Sequence, residues 1–355
     1  MNTAYLNQLK ALLSSVALCL FSLSPNAQII DSVITQETWQ ETLDIESEAG
    51  LEFRGGLEYR LEKDLDEELA KVISADELGE FSAIEFVHEP GETPRFVAFS
   101  DHQGLWIEVE IKLNDGWLSG MTLLRMGVLL DPENKQKALV DIESVNWHAG
   151  TYQLAFENSG KLWTFNKLDD TPEIGYVLKD FHKFPENGIE SLTRLPDGRL
   201  LAVAELQSAS KRFVSPANLK GHKRSQTRAA WVETKAGSRS FDPLAIETPD
   251  GLSPGGSTTL ANGDVLILFK KFHLLRRINS IAIQRFSAED FKSQALVGGS
   301  TLLKARSKTR PQLVLDNMEG ISSFQREGET FVMIASDNNL NWKHQKNRLL
   351  LFRLK

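Results

Sequence analysis

Short apolar runs bounded by Gly, Pro, Asp or Asn follow one another along most of the chain. Each run is five to eight residues long, as in RFVAFSD (95–101), YQLAFE (152–157), RLLAVAE (199–205), DVLILFK (264–270) and TFVMIASD (330–337). Runs of this length between turn-forming residues are typical of β-strands. A helical spacing of apolar residues is found at 64–78. The pattern therefore predicts an all-β protein with one candidate helix.

A hairpin of one design recurs five times. Each copy has a start residue, a short strand, a turn glycine, a second strand and an end residue. The copies span residues 82–101, 143–157, 190–205, 256–270 and 319–337. In three of the five copies the end residue falls seven positions after the turn glycine. A hairpin that recurs from residue 82 to residue 337 indicates a repeat architecture.

The length of the repeat predicts a β-propeller. Its start residues lie 47 to 66 residues apart, which leaves room for about four strands per unit, as in a propeller blade. A β-sandwich would have similar strands, but not the same start, turn and end residues in every unit. Dividing the mature length by roughly 45–55 residues per blade gives six blades. The strand-like segments 51–63 and 347–355 are predicted to pair and close the ring, which removes exposed sheet edges.

The N-terminus predicts export. Lys10 precedes the apolar run ALLSSVALCLFSL and the segment SPNAQ, which is the organisation of a secretory signal peptide over residues 1–27. The run is short for a membrane span, although a retained anchor is the alternative. We expect a periplasmic or secreted protein with no stable membrane insertion after cleavage. Cys19, the single cysteine, lies inside this signal, so the mature chain has no disulfide and no thiol nucleophile.

Charge and motif content exclude several functions. The formal net charge of −8 argues against nucleic acid as a partner. The seven histidines have no H-x-H or H-E-x-x-H spacing, so the sequence does not support a zinc site. A P-loop and a G-x-G-x-x-G segment are also missing from the sequence. We expect a monomer that acts on a small molecule.

Repeated carboxylates carry the candidate chemistry. The start residues Glu143, Glu190 and Glu319 are equivalent, and so are the end residues Glu157, Glu205 and Asp337. A propeller brings equivalent positions of all blades together around its channel. Carboxylates gathered in this way repel one another unless a cation lies among them, and a hard cation such as Ca²⁺ prefers oxygen ligands. In the alternative interpretation, each acid accepts backbone hydrogen bonds or pairs with an arginine of a neighbouring blade.

Two further features are open to interpretation. Lys270 occupies an end position that other units give to acids, so it is predicted to neutralise an acid or to bind an anionic substrate group. The polar, basic segment 207–230 interrupts the strand pattern. It is interpreted as a solvated hairpin tip or as a substrate loop.

The same residues carry a family resemblance. The segments NGIESLTRLPDGRLLAVAE (187–205) and DNMEGISSFQREGETFVMIASDNN (316–339) resemble the most recognisable parts of the phytase-like family, also described as esterase-like activity of phytase. The similarity extends over about 45–355. It implies a six-bladed propeller domain, a hydrolase and ester or phosphoester substrates. The family acids that it carries over, as site residues only, match Glu143, Glu190, Glu205, Glu319 and Asp337.

The chain departs from the family pattern at two places. It has Asp101-His102 where the family usually has Asp-Arg, and Phe269-Lys270 where the family tends to have Glu-Arg. The loss of an arginine and an acid weakens the inference of phosphatase activity.

The sequence thus supports three hypotheses. The first is an exported, Ca²⁺-dependent hydrolase of phosphate or carboxylic esters. In it Glu190 and Glu205 are catalytic, Lys270 and Asp101 contact the substrate, and the metal ligands are Glu143, Glu157, Glu319 and Asp337. The second is a non-catalytic binding propeller with a structural ion. The third is a sugar lactonase-type enzyme.

Overall fold

The computed structural model describes most of the chain after the predicted signal. The described residues are 27–29, 34–40, 50–61, 79–88, 91–101, 104–133, 138, 140–157, 159–178, 188–206, 208–210, 213–215, 217–273, 278–307, 315–339 and 345–355. Residues 1–26 of the predicted signal and the whole of the candidate helix at 64–78 lie outside them.

The described residues form 23 strands. The strands of the first half are β1 (Ala27–Ile29), β2 (Ile34–Trp39), β3 (Leu51–Leu61), β4 (Phe81–Phe86), β5 (Arg95–Ser100), β6 (Leu105–Asn114), β7 (Trp117–Val128), β8 (Ile142–His148), β9 (Thr151–Phe156), β10 (Ser159–Phe165) and β11 (Glu173–Val177). Those of the second half are β12 (Ile189–Arg194), β13 (Leu200–Ala204), β14 (Thr227–Glu233), β15 (Phe241–Glu247), β16 (Ser253–Thr259), β17 (Val265–His273), β18 (Ile278–Phe286), β19 (Leu296–Val297), β20 (Ser300–Arg306), β21 (Asn317–Arg326), β22 (Glu329–Asp337) and β23 (Asn347–Leu354). Short 3₁₀ helices lie at Arg224–Gln226, Pro249–Gly251 and Ala288–Asp290.

These strands form five sheets, which are the blades of a propeller. From channel to rim, blade 1 has the order β4-β5-β6-β7-β1 and blade 2 has β8-β9-β10-β11. Blade 3 has β12-β13-β14-β15-β19, blade 4 has β16-β17-β18-β20, and blade 5 has β21-β22-β23-β3-β2. Each of the five hairpins predicted from the sequence forms the two inner strands of one blade.

The prediction of six blades was wrong. The inner strands begin at residues 81, 142, 189, 253 and 317, so a blade takes 47 to 64 residues. Three of the sheets have five strands, and one strand, β7, reaches 12 residues. Dividing the mature length by roughly 45–55 residues per blade assumed blades that are shorter than the observed ones. The five recurring hairpins of the sequence, in contrast, equal the number of blades.

Hydroxyl groups bridge every junction between neighbouring inner strands. The inner strands contact one another in the cyclic order β4, β8, β12, β16, β21 and back to β4. The bridges are Ser82 Oγ to the Ile142 carbonyl, Leu192 N–H to Ser144 Oγ, Thr193 Oγ1 with Thr259 Oγ1, Thr258 Oγ1 with Ser323 Oγ, and Phe86 N–H to Ser322 Oγ. Because side chains rather than backbone pairing join the blades, each sheet keeps its own register.

Blade 5 is built from both ends of the chain. Strand β3 pairs antiparallel with β23, from Leu51 opposite Leu354 to Tyr59 opposite Asn347. Strand β2 continues this sheet outward, and β1 adds to the rim of blade 1. Both of these strands lie before residue 45, where the sequence had the domain begin.

The hydrophobic core consists of clusters between adjacent blades. In β13, Leu200, Ala202 and Ala204 pack toward blade 2, whereas Leu201 and Val203 pack toward blade 4. Successive strand residues point to opposite faces, and both faces of an inner blade strand are covered. This explains why the apolar runs are continuous rather than alternating with polar residues.

The described part of segment 207–230 is not a solvated tip throughout. Ala209, Phe213 and Val214 are buried in the cluster between blades 2 and 3, and Thr227–Ala230 already belongs to the buried strand β14. Within the described residues, no helix has the length and apolar character that a bilayer crossing requires.

The contribution of blade 5 can be measured with Phe352→Ala. Phe352 is fully buried and its ring contacts Phe53 edge-on at 5.7 Å between centroids. We expect a loss of about 3–5 kcal/mol in the free energy of unfolding, because the substitution leaves a cavity between strands that come from the two ends of the chain. Urea denaturation measures this loss. Phe272→Ala, at a side chain that is 53% exposed, is the control and should change stability by less than about 0.5 kcal/mol. Equal effects of both variants would contradict the assignment.

Candidate functional site

A β-bulge occurs at the same place in the inner hairpin of all five blades. The register shifts by one residue near the start of each inner strand, which leaves one extra residue on that strand. A bulge re-aims its side chain and bends the strand. The bulged residues are Ser82, Glu143, Glu190, Gly255 and Glu319. The three predicted start glutamates are thus equivalent in structure, and the blade 4 counterpart is Gly255 rather than Gly256.

The predicted end residues lie beside these bulges. Asp101, Glu157 and Glu205 directly follow the second strand of their blade, Asp337 ends it, and Lys270 lies within it. Each is opposite the residue two before the bulge. Three of these pairs are joined by backbone hydrogen bonds, from Asp101 N–H to Glu80 O, from Glu157 N–H to Asp141 O and from Glu205 N–H to Gly188 O. The other two are the facing pairs Ser253 with Lys270 and Asn317 with Asp337.

This arrangement brings in two acids that the sequence analysis missed, Glu80 and Asp141. Both stand two residues before a bulge, at a position where the other blades have Gly188, Ser253 and Asn317. An alignment of the repeats that included this position would have found them.

Lys270 forms the centre of one group of carboxylates. Its ammonium group hydrogen-bonds Glu319 Oε1 and lies 3.4 Å from Glu190 Oε2. Asn317 Nδ2 donates to the same oxygen of Glu319 at 2.8 Å. Burial disfavours the charged lysine, but the surrounding carboxylates, Glu190 foremost, hold the pKa of Lys270 well above its ordinary value. Lys270 therefore neutralises acids, as one of the two sequence interpretations predicted.

A second group of carboxylates lies next to the first. One oxygen each of Asp101, Asp141 and Glu143 lies within 4.8 Å of the other two. Burial, followed by the nearby Asp141 carboxyl, raises the pKa of Asp101. Burial, followed by Asp101 and Glu319, raises the pKa of Glu143 well above its ordinary value. A nearby cation would lower the pKa of these carboxyl groups again and favour their ionised form.

Gly188 connects the two groups. A Cβ atom at this position would lie 3.1 Å from Glu190 Oε1, 3.3 Å from Glu157 Cγ and 3.6 Å from Glu143 Cγ. Any side chain here would therefore push against three glutamates. The glycine lets the carboxylates of blades 2 and 3 meet at the channel.

The remaining predicted residues lie at the edge of this site. Burial raises the pKa of Glu205, while Lys270 and Arg228 oppose the shift. Arg228, which the sequence analysis missed, is buried in β14, and its Nε donates to the Glu205 carbonyl at 2.6 Å. Burial and Glu319 raise the pKa of Asp337 well above its ordinary value, although Asn339 N–H donates to its carboxylate.

Three asparagines connect parts of the site. Asn338 Oδ1 accepts the Glu80 N–H at 2.8 Å, and Asn317 and Asn339 donate to carboxylates. The site as a whole brings all eight predicted residues together with Glu80, Asp141 and Arg228. Nine of these eleven side chains are acids.

Fold and site together define an acidic-channel β-propeller. A model of the phytase-like family, described as esterase-like activity of phytase, matches residues 76–340. The chain therefore belongs to this family.

Comparisons with solved structures give remote matches. An exo-1,5-α-L-arabinanase from a bovine ruminal metagenomic library is 12% identical, with 78% of this chain and 93% of that chain covered and a TM-score of 0.45. A thermostable family-43 glycoside hydrolase is 11% identical, with 78% and 89% covered and a TM-score of 0.49. A glutaminyl cyclase from Myxococcus xanthus is 12% identical, with 78% and 91% covered and a TM-score of 0.39. No match was found among curated proteins. None of these likenesses bears on the chemistry of this chain.

The raised carboxyl pKa values predict how stability depends on pH when divalent cations are removed. Folding favours the protonated form of Glu190, Glu143 and Asp337, whose ordinary values are 4.5, 4.5 and 3.8. The folded state therefore binds more protons than the unfolded state above pH 4.5, and stability should fall as the pH rises from there. Each such group contributes roughly 1.4 kcal/mol per pH unit. Lys270 adds no slope below pH 10, because it is charged in both states.

Urea denaturation in chelator between pH 5 and pH 8 measures this slope. Glu143→Gln, which mimics the protonated carboxyl, should flatten it, whereas Glu289→Gln on the exposed surface should leave it unchanged. A stability that rises with pH in the wild type would show that the carboxylates are stabilised as anions without a metal.

Proposed function

We propose that this protein is a Ca²⁺-dependent hydrolase of phosphate or carboxylic esters that acts at the carboxylate site of the channel. The observation that carries the proposal is the meeting of two differently composed carboxylate groups at Gly188. One group is centred on the ammonium of Lys270, and the other is formed by Asp101, Asp141 and Glu143. A hydrolase with a metal cofactor needs both an oxygen-lined cation site and a separate base beside it.

Ca²⁺ fits the group formed by Asp101, Asp141 and Glu143. Ca²⁺ has oxygen ligands at about 2.3–2.6 Å, so ligands on opposite sides of one ion are about 5 Å apart. The three carboxylate oxygens lie within 4.8 Å of one another, which matches that limit. When bound, the ion would supply Lewis-acid polarisation of the ester and would balance the buried negative charge.

The other predicted ligands have different surroundings. Glu319 is hydrogen-bonded by Lys270 and Asn317, so the proposal does not use it as a ligand. Glu157 approaches Gly188 beside Glu143 and remains a candidate, as does Asp337, whose carboxylate acts electrostatically on Asp101. Asp101 was predicted to contact the substrate, and its place among the three carboxylates favours metal binding instead.

Glu190 is the general base in this proposal. It is only 3% exposed, and burial and Glu143 raise its pKa well above the ordinary value. A carboxylate with a raised pKa accepts a proton from water more readily near neutral pH. Lys270, 3.4 Å from Glu190, opposes this rise of the Glu190 pKa. Glu205, next to Arg228, is the second candidate and would orient the water.

The rival function is a non-catalytic binding propeller with a structural ion. The ion pair of Lys270 with Glu319 favours it, because a lysine already paired with a buried acid is poorly placed to hold an anionic substrate group. It predicts that chelation lowers the melting temperature while no ester is hydrolysed. A lactonase-type enzyme would share the site and would open lactones. Export to the periplasm or medium is a part of the proposal that depends on the signal at 1–27.

Turnover tests the catalytic part of the proposal. In Glu190→Gln, kcat for p-nitrophenyl phosphate or p-nitrophenyl butyrate should fall by about 10²–10⁴, because the amide cannot accept the proton. Wild type should lose activity in chelator and regain it with Ca²⁺. Glu289→Gln is the matched control and should retain full activity. A Glu190→Gln enzyme as active as the control would remove Glu190 from the reaction, and no turnover by wild type would favour the binding propeller.

Calcium titration tests the metal part separately. Glu143→Gln and Asp101→Asn should each weaken Ca²⁺ binding by about tenfold or more, because each removes a charged oxygen ligand. Isothermal titration and metal analysis of the purified mature chain measure this. Glu319→Gln should bind Ca²⁺ nearly as well as wild type. The assignment would be reversed if only the Glu319 variant lost the ion.

A further inference from the structure

A groove in blade 2 leads outward from the carboxylate site. Its volume is about 400 Å³, and its walls come from the segment after β7, the approach to β8, and strands β9 to β11. Asp141 and Glu157 belong both to its lining and to the channel site. A molecule bound at the carboxylates therefore has this space for the rest of its structure. We call it the Trp163 groove.

The floor of the Trp163 groove is aromatic and aliphatic. Phe156 and Trp163 lie with ring centroids 4.6 Å apart at an interplanar angle of 57°. Ile174 faces Trp163 across the β10–β11 pair and is 38% exposed, which is unusual for a large apolar side chain next to a cavity wall. Such a surface favours an apolar or planar group that displaces water from it.

The rim of the Trp163 groove carries an excess of negative charge. Among the described residues that line it, four are acids, namely Asp131, Glu133, Asp141 and Glu157, and one, Lys161, is a base. A polyanionic group in the groove would be repelled by these carboxylates, whereas an uncharged or cationic group would not. An aromatic floor also attracts cations through its π-electrons.

We propose that the Trp163 groove binds the uncharged or cationic apolar part of an ester substrate and excludes polyphosphorylated ones. This inference rests on the proposed function for the position of the scissile bond. It narrows the substrate class from phosphate or carboxylic esters to esters of apolar, aromatic or aliphatic groups. An inositol polyphosphate would not fit the charge of the groove.

Equilibrium binding tests the groove without requiring turnover. The probes are benzyl alcohol, benzylamine and benzyl phosphate, titrated into the mature full chain in chelator and followed by ligand-observed NMR. We expect the first two to bind and benzyl phosphate to bind about tenfold more weakly, which corresponds to about 1.4 kcal/mol. Chelator removes any contribution from phosphate bound to a metal ion.

Two groove variants and two matched controls locate the binding. Glu133→Lys should reduce the preference against benzyl phosphate to about threefold or less, whereas Glu289→Lys, remote and exposed, should not. Ile174→Asp should lose most of the benzyl alcohol binding. Val177→Asp should not, because Val177 is 59% exposed on the same strand and outside the groove.

The outcomes separate this inference from the proposed function. If wild type hydrolyses p-nitrophenyl butyrate but Glu133→Lys and Ile174→Asp leave probe binding unchanged, the assignment of the groove is overturned and the proposed hydrolase is not. The expected probe binding without any ester hydrolysis would support the groove and would remove the hydrolase. Benzyl phosphate bound as tightly as benzyl alcohol, or no binding of any probe, would overturn the inference.

Discussion

The burial of like-charged carboxyl groups around the propeller channel is the constraint on which the rest of the structure depends. Glu143 and Glu190 are almost completely buried, and burial raises the pKa of both. Isolated buried charges are costly, so the fold must supply protons, hydrogen bonds or cations. Lys270 is the cation of one group. The group of Asp101, Asp141 and Glu143 is the one for which a bound Ca²⁺ is proposed.

The fold tolerates this arrangement because its stability arises elsewhere. The apolar clusters lie between blades and away from the channel, and β13 contributes to two of them with alternate residues. Hydroxyl bridges such as Thr193 with Thr259 join the inner strands at each of the five junctions. The channel end of each blade can therefore carry a bulge without disturbing the core. A site on a rigid ring holds its carboxylates at fixed separations.

Lys270 and Arg228 are basic side chains at the site that bind different partners. Lys270 lies between blades and holds Glu190 and Glu319 together, whereas Arg228 binds the carbonyl of Glu205 from within blade 3. Glu190 faces both carboxylate groups, since Gly188 lets it approach Glu157 and Glu143. This position between the two groups is the basis of the role proposed for Glu190. The Trp163 groove extends from the group of Asp101, Asp141 and Glu143, so the proposed substrate groove and the proposed metal site share the residue Asp141.

The sequence by itself determined the strands, the five hairpins and the equivalence of Glu143, Glu190 and Glu319. Strand length, turn residues and repetition are local properties, so they can be read from one chain. The number of blades was not determined in this way, because strand β7 and the shared blade 5 changed the residues used per blade. Glu80 and Asp141 were missed because the repeat alignment began two residues after them, and Arg228 because its contact with Glu205 depends on how the strands of blade 3 lie side by side. Only the tertiary structure decided that Lys270 pairs with Glu319 while Asp101 joins Asp141 and Glu143, because ring closure alone sets the distances between side chains remote in sequence.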